Sequence, residues 1–226
     1  MSTTEAQSIE QCAFTPGVRL ENAMCTVEVA IQHSSEFRKP LWLLSMDMRK
    51  AFDTVDHESL LHALQHQGIA NEYIALIASL YKSQNASVNG SREFSVGRGV
   101  KQGDVLSTLL FNCVLDVAFQ RFKANLTNEG LFISNDQLRL TNIRYADDIL
   151  LFSNSLEELV LMSEMLLREF NAIGLKLNAE KTKILHSDLV DDGANVSFID
   201  INDELIEVLE PSKSHKYLGK ILSIFN

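Results

Sequence analysis

Residues Leu41-Trp42-Leu43-Leu44-Ser45-Met46 form a short, almost unbroken apolar run that ends on Asp47. A strand with one wet face would alternate apolar and polar residues. A continuous run of this length instead suits a strand buried on both faces. A carboxylate at the end of such a strand is costly unless it is paired or bound to a metal. The simpler alternative is an Asp that caps the following turn.

The rest of the chain reads as helices interleaved with strands. Leu20, Ala23, Met24, Val27, Ala30 and Ile31 recur at helical spacing, which predicts a helix over 17–33 that Pro40 ends. Asp56 is placed to cap a helix that buries Leu60, Leu61 and Leu64 and stops at Gly68. A further helix is predicted over 71–82, and a hairpin over 86–91 turning at Asn89-Gly90. Gly97, Gly99 and Gly103 mark a loop before a long apolar helix from Val105 to Phe122. Leu131–Ile133 and Leu138–Leu140 flank Asn135-Asp136 as another hairpin. An amphipathic helix over 155–172 is stopped by Gly174, and short strands and turns follow. The expected class is α+β, with long helices packed on a mostly antiparallel sheet.

Length and composition exclude several alternatives. The chain has 226 residues, 46% of them apolar, with 3 Pro and 10 Gly, so it is neither disordered nor collagen-like. No long apolar run predicts a membrane span, and the polar stretch Met1–Gln11 lacks the core of a signal peptide. Cys12, Cys25 and Cys113 are too few and too scattered for a disulfide framework or a zinc site. An intracellular setting, cytoplasm or nucleus, is expected, with no membrane partner. The net charge of -10 (20 Lys and Arg, 30 Asp and Glu) argues, taken alone, against a nucleic-acid partner. Eight of the acids, however, fall in residues 188–210, which hold no Lys or Arg, so the remainder is close to balance. That segment reads as a solvated hairpin.

A second carboxylate feature changes the weight of Asp47. In Arg144-Tyr145-Ala146-Asp147-Asp148-Ile149-Leu150-Leu151-Phe152, two adjacent acids separate apolar, strand-like stretches. Adjacent carboxylates repel, and a cation relieves that repulsion. A single such pair is ordinarily a solvated turn. Two strand-end carboxylate sites in one small domain point to a hard-cation site, and Mg²⁺ favours one or two carboxylates plus substrate phosphates.

These residues carry a family resemblance. Ser45-Met46-Asp47-Met48-Arg49-Lys50-Ala51-Phe52-Asp53 resembles the first palm motif of reverse transcriptases, nearest to those of non-LTR retrotransposons. Gly99 to Asn112 resembles the second motif and Tyr145-Ala146-Asp147-Asp148 the third. Gly174 to Lys183 resembles the fourth, and Lys216-Tyr217-Leu218-Gly219 the fifth, the primer grip. Phe14-Thr15-Pro16-Gly17 is similar to the end of the fingers. The second motif departs from the family pattern at Thr108, where Pro is usual.

The resemblance implies a polymerase palm over 41–226, preceded over 1–40 by a polar tail and residual fingers, with a thumb absent. Asp47, Asp147 and Asp148 would hold two Mg²⁺ ions, which Mn²⁺ can replace, with the Met48 carbonyl assisting. Lys181 would donate a proton to the leaving pyrophosphate, although it also reads as a surface turn lysine. Phe52 matches the gate that excludes a 2′-hydroxyl. Gln102 and Gly103 would lie against the incoming nucleotide, and Tyr145, Lys216, Tyr217 and Gly219 against the primer.

The implied partners are an RNA template, a DNA primer and deoxynucleoside triphosphates, with separate chains able to supply fingers or thumb. Two rivals stay open. One is a non-polymerising retrotransposon remnant that serves as a structural or interaction module. The other is a palm of an RNA-templated RNA polymerase or a group II intron maturase.

Overall fold

The computed structural model describes residues 10–13, 17–82, 85–86, 94–95, 97–101, 103–133, 139–187, 196–222 and 224. The Asn89-Gly90 and Asn135-Asp136 turns, Phe14 to Pro16 and Gln102 lie outside the described residues. Helix α1 (Leu20–Phe37) leads into strand β1 (Trp42–Met46). A helical turn α2 (Ala51–Thr54) and helices α3 (His57–His66) and α4 (Asn71–Lys82) follow. A two-stranded ribbon, β2 (Asn85–Ala86) and β3 (Phe94–Ser95), precedes the long helix α5 (Val105–Ala124). Next come the ribbon β4 (Leu131–Phe132) and β5 (Arg139–Leu140), then the hairpin β6 (Asn142–Tyr145) and β7 (Asp148–Ser153). Helix α6 (Leu156–Ala172) is followed by β8 (Lys183–His186), β9 (Phe198–Ile201), β10 (Glu204–Val208), β11 (His215–Tyr217) and β12 (Lys220–Leu222).

The main sheet has six strands in the order β6-β7-β1-β8-β10-β9. Its pairings are antiparallel except that of β8 with β10. Strand β1 lies in the middle, and all five of its residues are buried. Because successive side chains of a strand point to opposite faces, its residues divide between two cores. Trp42, Leu44 and Met46 join the side chains of α3, α4, α5 and α6. Leu43 faces α1 and the β11–β12 ribbon. Strand β7 divides in the same way, with Ile149 and Leu151 on the first face and Leu150 and Phe152 on the second. Burial of each such side chain stabilises the fold by about 1.5–3 kcal/mol. The α+β expectation is met, and the two-faced burial of β1 is the reason the run 41–46 is continuous.

Local signals set the helix ends. Asp56 accepts a hydrogen bond from the Ser59 N–H at 2.9 Å, as a cap of α3 should. Ser155 caps α6 by accepting from Glu158 N–H at 3.2 Å. Asp104 caps α5, accepting from Leu106 N–H at 3.0 Å. Helix α1 runs on to Phe37, past the expected end, and stops where Arg38 turns left-handed at φ 49°. Pro40 therefore follows the cap rather than forming it.

Among the described residues, α5 is the one helix long and apolar enough to cross a membrane. Packing accounts for its composition, since eleven of its residues are buried in the core. The described part of the acidic segment forms the β9–β10 hairpin at the sheet edge. Two of its acids are paired, Glu207 with Lys183 at 3.1 Å and Glu204 with Arg49 at 3.8 Å.

Two glycines fix the turn α2. Gly99 (φ +89°) and Gly174 (φ +87°) come so close that an added Cβ would stand 2.7 Å from the Asp53 carbonyl and 2.6 Å from that of Thr54. We predict that Gly174→Ala lowers unfolding free energy by about 2–4 kcal/mol, from left-handed strain plus a backbone clash. Urea denaturation of both proteins measures this; a change below about 1 kcal/mol would show that α2 is not pinned there.

Candidate active site

The register of β1 on β7 builds the site. Met46 pairs with Ile149, so Asp47 and Asp148 lie one step beyond the last pair, at the same end of the sheet. Asp147 and Ala146 form the two-residue turn between β6 and β7, closed by the pairing of Tyr145 with Asp148. Strand β1 stops there because the loop 176–182 takes over its backbone bonds. Arg49 N–H donates to the Lys176 carbonyl at 2.8 Å, and Asn178 N–H to the Asp47 carbonyl at 2.8 Å.

The same loop grips the Asp47 carboxylate. Asn178 Nδ2 donates to Oδ2 at 2.9 Å, and Lys181 Nζ stands 3.8 Å from Oδ1. Thr182 Oγ1 accepts from the Asp47 N–H at 3.2 Å. Asp47, Met48, Phe52, Asp147, Asn178 and Lys181 all line one open cavity of about 570 Å³. Asp148 is not among its lining residues. The Phe52 ring borders this space and stacks on Phe111 at 4.4 Å, with 19° between ring planes, so it serves the core as well as the cavity wall. Its carbonyl is held by the Val100 N–H at 2.6 Å.

The carboxylates disturb one another. Burial pushes the Asp147 carboxyl above its ordinary range, its own backbone N–H and Lys181 pull it down, and Asp47 pushes it up. Burial, then repulsion by Asp147 and Asp47, pushes Asp148 up to about 6, against a pull from Lys181. Among the described residues, no three His, Cys, Asp or Glu side chains stand close enough together to hold a metal ion. The carboxylate oxygens gathered here have the chemistry of a hard-cation site, although Arg49, Lys50 and Lys181 line the same cavity and answer part of their charge.

The remaining sequence-selected residues are spread around this centre. Gly103 is exposed just before α5, and Tyr145 is half-buried at the end of β6. Lys216 and Gly219 are exposed on the β11–β12 ribbon. Tyr217 of the same ribbon is a core residue at 3% exposure, with its hydroxyl unbonded among the described residues. Its ring therefore faces the protein rather than the outside. His215 Nε2 lies 3.0 Å from Ser45 Oγ and ties the ribbon to β1. Asn178 and Thr182 were not singled out from sequence, although both stand within the fourth motif.

A family model described as reverse transcriptase (RNA-dependent DNA polymerase) matches residues 2–222. The chain belongs to the reverse transcriptase family. It is 31% identical over 176 residues to the retrovirus-related Pol polyprotein from the type-2 retrotransposable element R2DM of Drosophila melanogaster, covering 76% of this chain and 16% of that protein. It is 31% identical over 219 residues to the transposon TX1 uncharacterized 149 kDa protein of Xenopus laevis, covering 95% of this chain and 16% of that one. This reverse transcriptase domain thus spans about a sixth of the length of these relatives. Among solved structures, telomerase from Candida albicans in complex with a TWJ fragment of telomeric RNA superposes with a TM-score of 0.60. That match has 14% identity and covers 96% of this chain and 36% of that one. The similarity supports the palm-like fold.

The raised carboxyl of Asp148 makes stability depend on pH. Its folded value of about 6 exceeds the ordinary 3.8. The folded state therefore binds this proton more tightly, a contribution fully present below about pH 4 and lost as pH rises through about 6. Asp148→Asn should become progressively more stable than the parent between about pH 4 and pH 7. Thermal melts of the two proteins across that range test this; a constant offset would show that Asp148 is not perturbed.

Proposed function

We propose that this chain carries the catalytic palm of an RNA-directed DNA polymerase, adding deoxynucleotides to a primer 3′-hydroxyl on an RNA template. The observation that carries this reading is the shared cavity in which Asp47 and Asp147 meet Phe52 and Lys181. Asp47 and Asp147 would hold Mg²⁺ or Mn²⁺, with Asp148 as the third carboxylate and the Met48 carbonyl as a further oxygen. When bound, the ions lower the pKa of the attacking hydroxyl and neutralise the triphosphate.

The chain's own residues do the rest. Asn178 orients Asp47 through its Oδ2. Lys181 is 70% exposed and only loosely paired, so it can turn from Asp47 toward a departing pyrophosphate and supply a proton there. The Phe52 ring, braced from behind by Phe111, closes the space that a 2′-hydroxyl would need. Gln102 and Gly103 are assigned to the nucleotide. Tyr145, Lys216 and Gly219 are assigned to the primer, with Tyr217 as the buried foot of that ribbon.

A second reading is favoured by one observation. Asn178 and Lys181 already engage Asp47, and no three-acid cluster is gathered among the described residues. On that reading the chain folds as a palm without polymerising and serves as a structural or interaction module.

Primer extension on an RNA template with Mg²⁺ separates the two. Extension that falls at least about a hundredfold in Asp147→Ala supports the polymerase. Equal signals from both proteins would remove the catalytic assignment. In an active preparation, Phe52→Val should raise ribonucleotide incorporation about tenfold or more relative to deoxynucleotides. If the parent already uses both sugars equally, Phe52 is a core residue and no gate.

A further inference from the structure

Helix α5 is apolar on most sides, yet Asn112, Asp116, Phe119 and Lys123 recur on one face at successive turns. All four engage the same two neighbours, residues 10–13 and strand β6. Lys123 pairs with Glu10. Asp116 meets the Arg144 guanidinium at 3.1 Å, with both side chains fully buried, and that guanidinium lies 4.0 Å from the centre of the Phe119 ring. Asn112 Oδ1 accepts from Gln11 Nε2 at 3.2 Å, and Asn112 Nδ2 donates to the Ala13 carbonyl at 3.1 Å.

Buried ion pairs contribute little net stability compared with apolar packing, so this row needs another explanation. Its geometry converges on the turn that carries Asp147. The backbone of Arg144 is held on both sides, its N–H by the Glu10 carbonyl at 3.0 Å and its carbonyl by the Cys12 N–H at 2.8 Å. Two residues on, Ala146 adopts φ +57°, a left-handed conformation that a residue with a Cβ resists. Its N–H donates to Gln11 Oε1 at 3.4 Å, and the same oxygen accepts from the Ala13 N–H at 3.1 Å. Gln11 and Asn112 are both fully buried.

We infer that Gln11, fixed from behind by Asn112, is a positioning residue. It holds the strained Ala146 peptide and so aims the next residue, Asp147, at the cavity it shares with Asp47. The part of this inference that concerns metal rests on the polymerase reading above; the hold on the turn does not.

The test uses the full chain and two readouts, hydrogen exchange of the Ala146 amide and Mn²⁺ binding by paramagnetic titration. Gln11→Met keeps the volume but removes the three side-chain hydrogen bonds described above. It should speed Ala146 exchange about tenfold and weaken Mn²⁺ about tenfold, with the β1 amides unchanged. Gln11→Glu, when protonated, restores both the acceptor and the donor. At about pH 5 it should keep Ala146 protected within about twofold of the parent, a protection the Met variant lacks.

Ala146 protection within about twofold of the parent in Gln11→Met overturns the proposal. Should the variants fail to fold, the parent decides: an Ala146 amide protected about a hundredfold or more supports the bracket, and an unprotected one overturns it. A parent that shows Ala146 protection but no Mn²⁺ binding removes the metal site and leaves the hold on the turn standing.

Discussion

Met46 pairs with Ile149 in a register that runs two fully buried strand segments side by side, and the next residues along are Asp47 and Asp148. Everything in the candidate site depends on that register. Because side chains alternate, a slip of one residue would send Trp42, Leu44 and Met46 to the α1 face and Leu43 to the face of α3 to α6. Both faces are buried here, so a slip would not expose the strand. It would instead force side chains of the wrong volume into two packed cores and carry Asp47 away from Asp148. The cores thus select the register, and the register brings the carboxylates together. This is the physical link between an apolar run and an acidic centre at its end.

The acidic centre is costly to the fold that contains it. Asp147 is pushed toward protonation by burial and by Asp47, Asp148 by burial and by both other acids, and Lys181 relieves them only from a distance. The fold opposes this with backbone constraints rather than with charge. Gly99 and Gly174 press against α2, Asn178 pins the Asp47 backbone and carboxylate, and residues 10–13 clamp β6. The bulk charge of -10 has a different origin. Asp200, Asp203, Glu204, Glu207 and Glu210 lie on or beside the β9–β10 hairpin at the edge of the sheet, where Arg49 and Lys183 answer part of their charge. Net charge is therefore a poor guide to what the cavity end of the sheet can bind.

Much of the fold was legible because its signals are local. The periodicity of α3, α4 and α6, the cap at Asp56, and the continuous run of β1 all follow from neighbours in sequence. The end of α1 was less so, since Pro40 forbids a helix but does not say that Arg38 already ends it. In the site, the motifs picked out Asp47, Asp147, Phe52 and Lys181, which the structure brings to one cavity. They did not separate Tyr217, whose ring is core, from its exposed neighbours Lys216 and Gly219. Alternation along a three-residue strand is too short to show which face is wet. The Gln11–Asn112 and Asp116–Arg144 pairs were invisible for another reason. Each joins residues far apart in sequence, and a polar residue in an apolar helix names no partner.

The grip on Asp47 combines two interactions of different stiffness. Asn178 is a short neutral donor on a loop tied to β1 by backbone bonds, so its hold on Oδ2 is geometric and persistent. Lys181 is long, largely exposed and 3.8 Å away, so its attraction is screened and its side-chain entropy opposes fixation. A cation entering the cavity would compete with Lys181 for Oδ1 at little cost, while Asn178 kept Oδ2 oriented. The same loop can then hold the carboxylate in place and release a mobile ammonium group beside it. On the proposed polymerase reading, that division between a fixed amide and a loose cation suits a reaction in which charge must arrive, be neutralised and leave.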